Sequence, residues 1–240
     1  MQGSALRLAN AIEVAVVFVI WQYFAKVAVT LAGAAGVTLP DMPLLRHTYL
    51  AFVLVLLLMV WVRLRGETLA SFGLIAFKAR YLAFGLALAL VGILLDSVVR
   101  SVATPLIVEW TGADPHRDVK FFAEIKGNLP LFLMVVPSVW LCAALGEEFL
   151  FRGYLLTRLA QIFGGSTAAW VIAIVGQGVA FGLAHWYQGP VAMVPIAVGA
   201  MLFGAVSVMW GRNLWPAIIA HGLVDTLGFA LLYLGQPLSA

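Results

Sequence analysis

Charge is what this chain has least of. Only 10% of its 240 residues are Asp, Glu, Lys or Arg, while 63% are hydrophobic and the mean hydropathy is +1.04. Soluble domains carry about 25% charge, so a water-soluble globular protein is excluded and an integral membrane protein is what remains. Cysteine is nearly absent too. Cys142 is the only one, which excludes a disulfide framework and a Cys-rich metal centre. It lies in an apolar run and reads as a small packing residue, not a nucleophile. The longest polar stretch, residues 114–126, is too short to hold a core of its own, so one membrane domain over residues 1–240 is expected. Two catalytic signatures are missing: there is no His-Glu-x-x-His pair and no Gly-x-Ser-x-Gly elbow, so zincin and serine-hydrolase chemistry lose support. The basic excess is small, 14 Lys+Arg against 11 Asp+Glu. In a membrane protein it bears on topology rather than on nucleic-acid binding.

What is present is a series of long apolar runs. Residues 10–31, 49–62 and 81–99 form three spans, and further spans open at Leu129, Thr167, Val191 and Leu214. Each approaches the roughly 20 residues needed to cross the hydrocarbon core. Lipid offers no partner to unpaired backbone groups, so an all-α polytopic bundle of about seven helices (six to eight) is expected. Segments 68–80 and 101–112 leave the count open by one. The first span is longer than a signal core and carries Glu13 near its start, so it reads as a retained helix. Residues 40–43 and the mixed-charge stretch 100–128 read as loops. Arg7, Arg63, Arg65, Lys78, Arg80, Arg152, Arg158 and Arg212 gather on one side, whereas the 100–128 stretch sets four basic residues against four acidic ones. This bias puts the N-terminus in the cytoplasm and suits a bacterial cytoplasmic membrane.

Against this background, Glu147-Glu148-Phe149-Leu150-Phe151-Arg152 stands out. An ionisable residue at membrane depth costs several kcal/mol, on the order of 3 by insertion scales. On a helix, Glu148 and Arg152 are i and i+4 and can pair. Glu147 points about 100° away and has no partner on its own helix, so it is the carboxylate left for proton transfer. Of the four histidines, His47 and His116 fall in loop-like segments, while His185 and His221 lie in apolar helices. Phe181 is one turn before His185, and Asp225 one turn after His221. Counting from the turn Gly164-Gly165-Ser166, an antiparallel hairpin brings Glu147 level with His185, provided the fourth helix runs unbroken. His221 reaches the same height only if the end of that helix projects into the cytoplasm. Gly178-x-x-x-Gly182 reads as a close helix-packing stripe.

Two chemistries suit the group. In one, Glu147 and His185 activate a water while His221 and Asp225 stabilise an oxyanion. In the other, a zinc ion is held by His185, His221 and Glu147 with one open position. A polar network that merely locks helices together uses the same residues.

Taken in order, Glu147-Glu148-x-x-x-Arg152, Phe181-x-x-x-His185 and His221-x-x-x-Asp225 resemble the CPBP group of intramembrane proteases, which includes the type II CAAX prenyl endopeptidases and the Abi-like homologues. The motifs span about 80 residues, inside a catalytic core at about 129–234. The resemblance implies an intramembrane endopeptidase in which Glu147 and His185 activate the water, His221 and Asp225 form the oxyanion side, and Glu148, Arg152 and Phe181 support them. Both metal-assisted and metal-free mechanisms are argued for such enzymes. The implied partners are membrane lipid and a membrane-associated, in some cases lipidated, protein or peptide. Where the family often has Asn, this chain has Asp225. A small proton-coupled transporter using Glu147, His185 and Asp225 as a relay, and a proteolytically silent scaffold, remain as alternatives from other classes.

Overall fold

The computed structural model describes residues 2–37, 43–116 and 119–236. Its architecture is all-helical, with 83% helix and no strand among the described residues. Seven long helices run in chain order: α1 (Gln2–Ala34), α2 (Pro43–Leu64), α3 (Arg80–Thr111), α4 (Leu129–Ile162), α5 (Thr167–Ala184), α6 (Pro190–Met209) and α7 (Trp215–Tyr233). Six are long and apolar enough to cross a membrane, and the apolar part of α2, Thr48–Leu64, is shorter. This is an integral membrane protein with the helical architecture its composition requires.

α4 occupies the centre. Its residues Phe149, Phe151, Tyr154 and Leu155 are buried with Val55, Leu58 and Val62 of α2, Phe181 of α5, Ala200 of α6 and Ile218 of α7. The expected stripe on α5 is a contact surface. A methyl group on Gly178 would fall 2.4 Å from the Met201 side chain, and one on Gly182 would fall 2.7 Å from the Met193 carbonyl oxygen. Only glycine lets α6 come so close.

Two boundaries differ from the sequence reading. The third helix does not stop at residue 99. It continues to Thr111 with Pro105 inside it, and ends where Gly112 adopts a left-handed conformation and its N–H bonds the Val108 carbonyl. Charge does not break this helix because it is satisfied in place: buried Arg100 donates to Asp96 one turn earlier at 2.7 Å. Segment 101–112 therefore belongs to α3 and is not a further span. Likewise α2 opens at Pro43, a residue suited to a first helical turn, so His47 lies in a helix and not in a loop. His116 sits in an exposed bend after α3, as expected. The loop expected at residues 40–43 falls outside the described residues up to residue 42.

Glu13, costly in the middle of α1, is likewise satisfied. It accepts from Trp61 and Arg65 of the α2 end and from Tyr154 and Arg158 of α4. Arg158 also grips Glu67 with both terminal nitrogens, and that hydrogen-bonded guanidinium holds the Glu67 carboxyl below the usual carboxylate range. These contacts fasten α1 and the loop after α2 to the end of α4.

Candidate active site

The geometry of the site begins with an irregularity in α4. Just after Pro137 the helix changes from ordinary α turns to wide π turns, which run from Val139 to Leu155 before α geometry resumes at Leu156. Proline lacks the N–H that the α ladder needs and crowds the preceding turn. The wide turns carry both glutamates and Arg152, and such turns concentrate at functional sites. The helix is continuous, which is the condition for Glu147 to reach the level of α5. Its end is packed within the bundle, with Leu156, Arg158 and Ala160 buried. Gly153 lies against the Phe72 carbonyl and Leu214, just ahead of α7, and the regular end Leu156–Ile162 adds 7 residues beyond, about 10 Å at 1.5 Å per residue. The second turn of α7 meets the glutamates directly, His221 Nδ1 lying 2.8 Å from Glu148 Oε1.

Glu148 is fully buried and Arg152 nearly so. Their charges approach to 3.2 Å, but Arg152 Nε and Nη1 and Glu148 Oε2 make no aligned hydrogen bond. Part of the guanidinium's compensation comes instead from the Phe181 ring, 4.1 Å away, a favourable cation–π distance. Phe181 is the hub of the aromatic packing. Phe151 meets it edge-on at 4.9 Å, His185 packs at 4.6 Å, and His221 lies edge-on at 6.2 Å.

The two histidines are held differently. His185 caps the end of α5, and its Nδ1 lies 2.8 Å from the Phe181 carbonyl oxygen. A carbonyl only accepts, so Nδ1 carries a proton. In α7, His221 Nδ1 is 2.8 Å from Glu148 Oε1. Its Nε2 is 3.5 Å from Asp225 Oδ2 and 4.0 Å from Glu147 Oε2. His221 is thus the meeting point of three carboxylates. Glu147 has its Oε2 buried without a hydrogen-bond partner, although its side chain as a whole keeps 24% of its exposure.

The sequence reading paired Glu148 with Arg152 alone and missed its bond to His221, which comes from α7, 73 positions away. It also missed Trp140. The Trp140 indole N–H donates to Thr226 Oγ1 at 3.1 Å, and its ring lies where a methyl on Gly222 would fall 2.7 Å away. Trp140 therefore seats α4 on the two α7 residues that follow His221 and Asp225. A glycine directly after the buried histidine was the available signal. Cys142 is buried in the core near this face.

Among the described residues no group of three His, Cys, Asp or Glu side chains is placed to hold a metal ion, and Nδ1 of both His185 and His221 is committed to a protein oxygen. The donors do not fit the tetrahedral set expected of His185, His221 and Glu147.

Apolar helices that bury Glu148 and Arg152 and gather the partly exposed Glu147, His185 and His221 around them define a polytopic membrane protein with an ionisable cluster inside its bundle. Residues 129–227 match the family of type II CAAX prenyl endopeptidase Rce1-like proteins, a family of CAAX-type intramembrane proteases. The matched segment holds all three motifs and leaves α1 to α3 outside it. No curated protein and no solved structure was found to match the chain.

Proposed function

We propose that the protein is an endopeptidase that hydrolyses a peptide bond of a membrane-associated protein or peptide, prenylated chains among the candidates, with a water activated by Glu147. The observation that carries this reading is the buried, unbonded Glu147 Oε2 beside His221 Nε2. Glu147 takes a proton from water as the oxygen attacks the carbonyl carbon, and His185, held against Phe181, orients that water. The tetrahedral intermediate places negative charge on the former carbonyl oxygen. His221, in its doubly protonated form, donates Nδ1–H to Glu148 and offers Nε2–H to that oxyanion, an electrostatic role worth more in a dry site than in water. Glu147 then passes its proton to the departing amine, so proton and leaving group balance. Glu148 and Arg152 hold His221 and the α4 turn in place. A bare carboxylate repels an oxyanion, so Asp225 acts through His221.

This division makes Asp225 the least demanding position. Asp225→Asn is expected to keep activity within about tenfold of wild type, since its partner is His221 and the amide oxygen can still accept. A loss of the general acid–base size, about 10²–10⁴, would place Asp225 in the proton path instead. Peptide cleavage by the full chain in proteoliposomes tests the activity itself. Ion or solute flux through sealed vesicles without cleavage would instead favour the proton-relay transporter.

The reading includes a cytoplasmic N-terminus in a bacterial inner membrane. The basic residues of the loop after α2 support it. Reporter fusions at Arg65 and at the C-terminus are expected to read cytoplasmic and external respectively. An external signal at Arg65 would reverse the orientation.

A further inference from the structure

At the end of the bundle where α1 begins, a cavity of about 370 Å³ opens between α1, the α2 end and the α4–α5 turn. Arg7, Asn10, Arg65, Glu67, Arg158 and Gln161 line it. The charges do not cancel. Both Glu67 oxygens are taken by Arg158, and Glu13 nearby is spent on Arg65, Arg158, Tyr154 and Trp61. Two carboxylates thus balance Arg65 and Arg158, and Arg7 remains with no acidic partner among the described residues. Its guanidinium lies over the turn, where a side chain on Gly164 would fall 3.0 Å from Arg7 Nη2. Polar valence is also left over on buried walls. Asn10 is 2% exposed and donates to Gln161 Oε1, yet its own Oδ1 accepts nothing. Arg158 is 1% exposed, and its Nε–H donates to nothing.

A buried polar group without a partner costs about 1–3 kcal/mol, so two on one cavity mark a ligand. Arg7 calls for an anion, and the unfilled valences of Arg158 Nε and Asn10 Oδ1, on residues that line the cavity, suit a group that both accepts and donates. We infer that this cavity binds a hydroxyl-bearing phosphate, the chemistry shared by an anionic phosphoglycerol lipid headgroup and free inorganic phosphate. The place favours the lipid. Leu6, Leu8, Ile12 and Val16 of α1 are exposed apolar residues beside and beyond the cavity, a track for acyl chains, and basic pockets between transmembrane helices take anionic headgroups. The occupant bridges α1 to the end of α4.

The test is thermal unfolding and titration of the full chain in neutral detergent, with phosphatidylglycerol, phosphatidylcholine or inorganic phosphate added. None of these readouts depends on proteolysis. Phosphatidylglycerol is expected to raise the midpoint and phosphatidylcholine, which has no hydroxyl donor and no net charge, to leave it unchanged. Arg7→Ala, an exposed position, should weaken phosphatidylglycerol binding about tenfold, the size of one lost charge-assisted contact, and Arg7→Lys should recover part of it. Protection by inorganic phosphate that also needs Arg7 would extend the site to the free anion, and phosphate without effect would confine it to the lipid. Equal protection by the two lipids, or an Arg7→Ala protein that binds phosphatidylglycerol like wild type, overturns the site.

Discussion

Arg152→Ala should lower the thermal midpoint of the protein in detergent by far more than a surface substitution does, and abolish activity with it. Arg152 is 4% exposed and, among the described residues, forms its ion pair with the fully buried Glu148, at 3.2 Å. Removing one partner of a buried pair leaves an uncompensated charge and typically costs about 3–5 kcal/mol. The cation–π contact with Phe181 goes at the same time, and it is worth about 0.5–2 kcal/mol. His221 Nδ1 would still neutralise part of Glu148, so the lower part of the combined range is expected. Adding Glu148→Gln to Arg152→Ala should recover stability without recovering activity, because the stranded carboxylate is gone but His221 loses the negative charge that favours its doubly protonated form. An Arg152→Ala protein that melts like wild type would show that the pair is solvated.

Much of this arrangement was legible because lipid makes polar residues conspicuous. Glu148 and Arg152 were paired by spacing alone, and His221 and Asp225 likewise; the count from Gly164 set Glu147 level with His185, whereas the contacts between these helices join Phe181 to Phe151 and Arg152. Physical reasons account for the rest. The 1.5 Å rise used in that count belongs to α-helix, whereas Val139 to Leu155 turns more widely, a change that Pro137 permits but does not announce. The length of α3 was missed because a charged stretch was read as a loop, when Arg100 and Asp96 cancel within one helix. The His221–Glu148 bond and the Trp140–Thr226 contact join α4 to α7 across 73 and 86 positions. No local spacing encodes which faces of two helices meet.

The second large effect separates chemistry from structure. Glu147→Gln keeps the size of the side chain and removes only the proton acceptor. Since Glu147 Oε2 makes no hydrogen bond, little folding energy is at stake, and the thermal midpoint should stay close to wild type. The rate should fall about 10²–10⁴-fold. His185→Ala should be inactive to a similar degree, and the double variant hardly worse than either, because groups that act as one unit are not additive. Fully additive losses would mean that the two side chains serve separate steps. The most direct measurement is cleavage of a membrane-associated peptide in proteoliposomes by wild type and by Glu147→Gln at matched, folded concentrations. Cleavage by wild type, with at most about one hundredth of that rate from the variant, is the expected result. Substantial cleavage by well-folded Glu147→Gln would contradict a glutamate-activated water as the heart of the reaction.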